Sequence, residues 1–297
     1  MASAKLTWKE RFTGPRSGTR RPRRAAYALP TFFTAGNIFL GFLAILRSIH
    51  GALIAGTGQL GSNGHFEIAA KAIGVAVVLD GLDGRIARLT NTVSDFGREM
   101  DSLADVITFG IAPAVLAYCW GVQTVKPGGF LPDHRIGIFV SFLFLLCGAA
   151  RLARFNVQTN PIPKNPGRPD RKYFVGLPIP AAAAMVAAVV YACDSVPLEQ
   201  WLWSVLWLAL LALLSFLMVS TWRYPSFKEI SLTGPRSPLT VILFGVLIYL
   251  IWYYSQPVLL ALSMLYVSTG ILIRAGGIIR RRFRPHQPPP QPEHQAG

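Results

Sequence analysis

Four aspartates stand at spacings that would bring their carboxylates together. Asp80, Asp83, Gly84, Ala87 and Arg88 follow the steps i, i+3, i+4, i+7 and i+8, which share one face of an α-helix. Gly97, Asp101 and Asp105 are four apart and share a face of the next helix. The turn between them holds Asn91, Thr92, Ser94 and Asp95, so the two helices are expected to be antiparallel neighbours with all four carboxylates in one inter-helix space. Even one charge within a bilayer costs on the order of a few kcal/mol, so a group of four demands neutralisation. Hard divalent cations with oxygen ligands supply it, and Mg²⁺ commonly binds through carboxylates plus substrate phosphates. Two such ions would clamp the attacking and leaving oxygens of a displacement at phosphorus. Gly84, Ala87 and Gly97 lie on the same faces. They either let a phosphorylated ligand approach the backbone or form a small-residue seam between helices.

The elements that must position these carboxylates are apolar and long. Of 297 residues, 52% are hydrophobic and 14% charged, a composition of the membrane class. A helix needs roughly 20 mostly apolar residues to cross a bilayer. About eight windows meet that need: 31–49, 66–89, 97–121, 136–156, 176–193, 199–221, 238–254 and 257–279. Alternating strand patterns and 20–50-residue repeats are absent, which excludes a barrel and a solenoid. The expected fold is therefore all-α, a polytopic integral membrane helical bundle. A basic segment 1–28 precedes the transmembrane domain 29–280, and a basic, then proline-rich, tail 281–297 follows. The basic start before an apolar run resembles a signal peptide, but the run is long and carries Thr34 and Asn37, so it reads as a retained helix.

A net charge of +15 invites a nucleic-acid reading, which the distribution of charge excludes. All Lys and Arg residues except Arg47, Lys71, Lys126 and Arg135 fall in segments that lie on one side of an eight-helix bundle. With both termini cytoplasmic this is the positive-inside pattern. Clusters at Arg20, Arg21, Arg23 and Arg24 and at Arg280, Arg281, Arg282 and Arg284 flank the outermost helices, placed to meet anionic headgroups of membrane lipids. They lack the interleaved aromatics of a nucleic-acid surface. Cys119, Cys147 and Cys193 show no CxxC pairing and read as small buried hydrophobes.

The pattern Asp80-x2-Asp83-Gly84-x2-Ala87-Arg88-x8-Gly97-x3-Asp101-x3-Asp105 resembles the signature of the CDP-alcohol phosphatidyltransferase family at every fixed position. The similarity extends to the phosphatidylserine synthase branch through Leu29-Pro30-x3-Thr34-x2-Asn37-x3-Gly41, Ser94–Asp105, Phe109-Gly110-x-Ala112-Pro113, Arg151-Leu-Ala-Arg154-Phe155-Asn156 and Gly176-Leu-Pro178-Ile-Pro180. Thr31 departs from the asparagine expected after Pro30, and the proline-rich tail is not a family feature. The resemblance implies a metal-dependent transfer of a phosphatidyl group from CDP-diacylglycerol to the hydroxyl of L-serine. It implies two divalent ions, Mg²⁺ or Mn²⁺, on Asp80, Asp83, Asp101 and Asp105, with Asp105 also the general base. Gly84, Ala87, Arg88 and Gly97 would line the CDP site, without a covalent protein intermediate. It further implies a homodimer in the cell (inner or plasma) membrane, its active site facing the cytoplasm.

The remaining polar residues admit two readings each. Thr34 and Asn37, three apart in a spanning segment, need internal partners. Nucleotide contacts and helix–helix hydrogen bonds both serve. Arg151 and Arg154 are either cytoplasmic anchors or forks for a serine carboxylate or lipid phosphate, the reading favoured by the resemblance; Asn156 adds an acceptor contact. His50 and His65 are expected in an outer loop, Glu99 at the surface, Ser94 and Asp95 as caps of the third helix. Trp120, Trp201 and Tyr254 are expected as interfacial anchors, and Pro178 and Pro180 at the start of the fifth helix. Sister transferases using glycerol 3-phosphate, inositol or inositol phosphate share the signature. A cation transporter would place its carboxylates on repeat-related broken helices rather than in one hairpin.

Overall fold

The computed structural model describes residues 24–57, 61–90, 95–125, 134–159, 173–225 and 238–282. In chain order these form α1 (Arg24–Gly56), α2 (Ser62–Thr90), α3 (Asp95–Asp105), a π-helical segment (Val106–Ile111), α4 (Ala112–Gly121), α5 (His134–Thr159), β1 (Tyr173–Val175), α6 (Ile179–Ala192), α7 (Trp201–Val219), β2 (Arg223–Pro225), α8 (Pro238–Tyr253) and α9 (Ser255–Arg282). Each apolar window of the sequence holds one helical stretch, with α3, the π segment and α4 continuous. Five described stretches are long and apolar enough to cross a membrane: Phe32–Gly56, Phe96–Gly121, His134–Val157, Trp201–Val219 and Ser255–Gly276. The helix α2 carries Asp80, Asp83 and Arg88 of the signature, and α6 is only 14 residues long.

The continuous helix from Asp95 to Gly121 meets an obstacle at Pro113, which has no N–H and whose ring crowds the carbonyl four residues back. A wider turn just before it relieves that crowding: the Ala112 N–H donates to the Ile107 carbonyl, five residues back. The helix α1 packs along α2 and across the π segment, and α2 packs on α6. The helix α5 lies against α7 and the π segment, with α9 against α6. Trp207 is the pin on the α4–α7 side. Its Nε1 donates to the Ala117 carbonyl (3.0 Å), its ring meets Trp120 edge-on (5.0 Å between centroids), and a Cβ at Gly121 would fall on its indole.

Several positions differ from expectation. Trp120 is 1% exposed, a core residue rather than an interfacial anchor, because α4 is enclosed by α1, α5 and α7; Trp201 and Tyr254 are exposed. His50 and His65 lie within α1 and α2, not in a loop. The apolar residues Ala52–Ala55 carry α1 beyond its polar Arg47–His50 stretch, and the Ser48 hydroxyl is satisfied by the Ala44 carbonyl at 2.7 Å. Cys193, just past the end of α6, is exposed, whereas Cys119 is buried; all three cysteines are free thiols. The helical fold also carries one small sheet: β1 and β2 pair antiparallel, with Phe174 opposite Tyr224. Gly176 then turns with a φ of +81°, its N–H donating to the Trp222 carbonyl (2.8 Å), and a Cβ there would press on the Met218 carbonyl. Pro178 caps α6 as the sequence suggests, its carbonyl accepting from the Ala181 and Ala182 N–H groups.

Candidate active site

The end of α2 and the start of α3 both lie against α1, and they bring three of the four carboxylates together. One oxygen each from Asp80, Asp101 and Asp105 lies within 4.8 Å of the others. Asp83 belongs to the same electrostatic neighbourhood, acting on both Asp80 and Asp101, but it is held apart by a partner on α1. The Thr34 hydroxyl donates to Asp83 Oδ2 at 3.1 Å, and the pair is buried. Sequence spacing alone treats the four as equivalent; the structure separates them into a group of three and a fourth oriented from outside the hairpin.

Polar atoms at this site lack partners within the protein. Asp83 Oδ1, Asp105 Oδ1, Asn37 Oδ1 and Arg151 Nε are all buried without a hydrogen bond. A buried carboxylate oxygen without a donor is costly, and two beside further aspartates cannot be a resting arrangement of the chain by itself. The donor set is all carboxylate oxygen, suited to hard divalent ions such as Mg²⁺ or Mn²⁺ rather than to thiophilic ones. The residues present fit such ions.

The helix α1 contributes more than Thr34. Thr108, in the π segment, donates to the Asn37 backbone carbonyl at 3.0 Å. Gly41, one turn on, admits the crossing: a Cβ there would lie 2.7 Å from Thr108 Oγ1 and 2.8 Å from Thr108 Cα. Thr34 thus makes a helix–helix hydrogen bond, and Asn37 is 3% exposed with its side-chain oxygen still unpartnered. The helix α5 closes another side. Asn156 Nδ2 donates to Ser102 Oγ at 2.8 Å, tying α5 to the residue after Asp101. Arg151, five residues earlier, is partly buried and lies within electrostatic reach of Asp105 and of Tyr266 in α9. Arg154 is exposed, a turn further along α5. Gly84 is exposed and Gly97 partly so at the mouth of the hairpin. Ala87 and Arg88 continue α2, their side chains outside the described residues, as are the expected caps Ser94 and Asp95.

Three residues of the site escape sequence reasoning. Ser102 is within the aspartate block but off its carboxylate face, and its neighbour on α5 cannot be read from spacing. Thr108 gains its role from the π turn. Tyr266 belongs to a helix that carries no signature residue. Behind Tyr266 lies Tyr224 of β2, its phenol pushed up to about 12 by burial and so a neutral hydroxyl.

A family model described as CDP-alcohol phosphatidyltransferase matches residues 27–214. A CDP-diacylglycerol–serine O-phosphatidyltransferase of Helicobacter pylori is 41% identical over 209 residues, covering 70% of this chain and 76% of the relative. A protein of the same name from Bacillus subtilis is 32% identical over 209 residues, covering 68% of this chain and 92% of the relative. An archaetidylserine synthase of Methanothermobacter thermautotrophicus is 40% identical over 164 residues, covering 54% and 57% respectively.

Proposed function

This chain belongs to the CDP-alcohol phosphatidyltransferase family, a family of enzymes, and from that premise we propose that it transfers a phosphatidyl group from CDP-diacylglycerol to the hydroxyl of L-serine, yielding phosphatidylserine and CMP. The observation that carries the transfer is the convergence of Asp80, Asp101 and Asp105 within 4.8 Å, with Asp83 oriented by Thr34 beside them. The serine acceptor is supported by the names of the relatives from Helicobacter pylori and Bacillus subtilis and by a partly buried Arg151 within electrostatic reach of Asp105.

In this reading Asp80, Asp83, Asp101 and Asp105 hold two divalent ions, Mg²⁺ or Mn²⁺. When bound, such ions offset the charge that develops on the phosphoryl oxygens. Asp105 accepts the proton of the serine hydroxyl. The serine oxygen forms a bond to the phosphorus bearing diacylglycerol, the bond from that phosphorus to the CMP oxygen breaks, and CMP leaves with the electron pair. Gly84, Ala87, Arg88 and Gly97, with Thr34 and Asn37 on α1, border the CDP moiety. Arg151 and Arg154 offer planar guanidinium forks to carboxylate or phosphate, and Asn156 supports them from the same helix.

The reading places eight spans in the membrane, both termini and the site on the cytoplasmic side, a basic segment 1–28 before the domain 29–280 and a tail 281–297 after it. It extends to a homodimer, tested by cross-linking in the membrane. The activity is tested by incubating purified protein with CDP-diacylglycerol, Mg²⁺ or Mn²⁺ and each acceptor in turn, and measuring CMP. We expect release with serine, loss on chelation of the metal, and no turnover in Asp105→Asn that is still extracted as folded protein. No CMP with any alcohol overturns the enzyme reading. Release with glycerol 3-phosphate but not with serine keeps the family and overturns the acceptor.

A further inference from the structure

Arg47 is the only Lys or Arg in the spanning stretch Phe32–Gly56. It stands 13 residues after Thr34, about 20 Å along the axis of α1, at the end of the bundle away from the aspartates. A charge in a spanning helix is costly unless something answers it. Among the described residues no carboxylate pairs with Arg47: Glu67, the acidic residue at this end of α2, is taken by Lys71 one turn on.

What Arg47 has instead is an imidazole. Its Nη1 lies 3.4 Å from Nδ1 of His65, near the start of α2. A guanidinium can only donate, so Nδ1 accepts, and His65 is neutral with its proton on Nε2. His50, three residues after Arg47 in α1, stacks on the same imidazole, with centroids 5.7 Å apart and planes 20° from parallel. The three side chains therefore form one cluster across the α1–α2 contact. It carries the charge of Arg47, the remaining guanidinium donors and the His65 Nε2–H, and it holds no anion of its own. His65 fixes the guanidinium plane, while His50 stands exposed at the bundle surface. The flank is apolar: Leu46, Ile49 and Leu53 of α1 and Ile68 of α2 are all exposed. A cationic cluster set in such a flank matches an amphiphile with an anionic head and hydrocarbon tails.

We infer that Arg47, His50 and His65 bind the phosphate of an anionic phospholipid in the leaflet opposite the aspartate site, its acyl chains lying along Leu46, Ile49 and Leu53. Guanidinium and imidazole N–H groups suit phosphate oxygens, and the net positive charge favours a headgroup with no cation of its own. A zwitterionic lipid brings a second positive charge to Arg47. A free phosphate makes no use of the apolar flank. This lipid is not a substrate, and the site stands whichever alcohol the enzyme uses as acceptor.

The test uses the full-length protein in phosphatidylcholine nanodiscs containing a small fraction of phosphatidylglycerol that bears an acyl-chain diazirine close to the glycerol. After irradiation, tandem mass spectrometry reads how much of the segment 46–68 carries lipid. We expect Arg47→Gln to lower that labelling about tenfold, the order of one lost hydrogen bond between charged groups. His50→Gln, at an exposed position where packing is undisturbed, should lower it about threefold and decides the matter if Arg47→Gln does not fold. Phosphatidylcholine with the same diazirine should label the wild type no more than phosphatidylglycerol labels Arg47→Gln. Excess inorganic phosphate should leave the wild-type labelling unchanged. Equal labelling of the wild type and either variant overturns the proposal. So does equal labelling by the two lipids, which would show that headgroup charge is not read. Loss of labelling on addition of inorganic phosphate would make this a site for a free anion and overturn the lipid assignment.

Discussion

Asp83 and Thr34 show what a single hydroxyl does among crowded carboxylates. Asp83 is 7% exposed, one of its oxygens has no partner in the protein, and the other accepts from Thr34 at 3.1 Å. That bond selects which oxygen faces the cluster. Groups that orient a ligating carboxylate typically matter by about 10–100-fold in metal affinity, even though they never touch the ion. Thr34→Val keeps the shape and removes the donor. The concentration of Mn²⁺ giving half-maximal CMP release should therefore rise about tenfold, while the rate at saturating metal stays within about threefold and Thr34→Ser restores the wild-type curve. An unaltered metal-activation curve would show that Asp83 is oriented without Thr34. The four aspartates were legible because their spacings are helical and charge in an apolar segment is conspicuous. Thr34 as the partner of Asp83 was not, since the two are 49 residues apart and a polar residue in a spanning helix has many ways of being satisfied.

At the scale of elements, the site depends on how closely α1 approaches the π segment. Gly41 leaves room for Thr108, and the bond from Thr108 to the Asn37 carbonyl closes the crossing. A methyl group at residue 41 meets backbone as well as side chain, at 2.8 Å from Thr108 Cα, so rotating Thr108 aside cannot relieve it. The two helices must part. Gly41→Ala is expected to cost about 1–3 kcal/mol, as overpacking in a filled interior does, and to lower the apparent Tm of the detergent-extracted protein. Thr108→Ala removes only the hydroxyl and methyl and should leave Gly41→Ala still destabilised. A Tm for Gly41→Ala equal to wild type would mean that the crossing is looser than drawn. The helices themselves were legible, because apolar length is a strong signal. The π turn was not: Pro113 announces a disturbance in a helix, but whether a helix kinks, ends or widens is decided by what it packs against. The pairing of β1 with β2 was hidden for a related reason, each strand being three residues long and 48 to 52 residues from its partner in the register.

For the molecule as a whole, the helix ends sort themselves into two faces. Thr34 near the start of α1, Asp83 near the end of α2, Asp101 near the start of α3 and Asn156 near the end of α5 share one face, with Arg24 and Arg282 at the outer ends of α1 and α9. The opposite face is tied by its own contacts: Arg47 to His65, Gln256 to Asp194 at 2.8 Å, Tyr191 to Ser255 at 2.8 Å, and Lys71 over the Tyr191 ring. On the proposed topology the first face is the cytoplasmic one. The core that separates the faces was only partly legible, since Trp120 looked like an interfacial anchor until α7 brought Trp207 onto it. Orientation can be read with the chain's own thiol. Cys193, exposed just past α6 on the far face, should react with a membrane-impermeant maleimide in right-side-out vesicles and be protected in sealed inside-out ones. In a Cys193→Ser background, Glu99→Cys, at an exposed position two residues before Asp101, should show the reverse pattern. Labelling of both positions from the same side would place the aspartate cluster and Cys193 on one face of the membrane, and the two-faced arrangement would fall. Labelling with the sides exchanged would keep the arrangement and turn the active site outward.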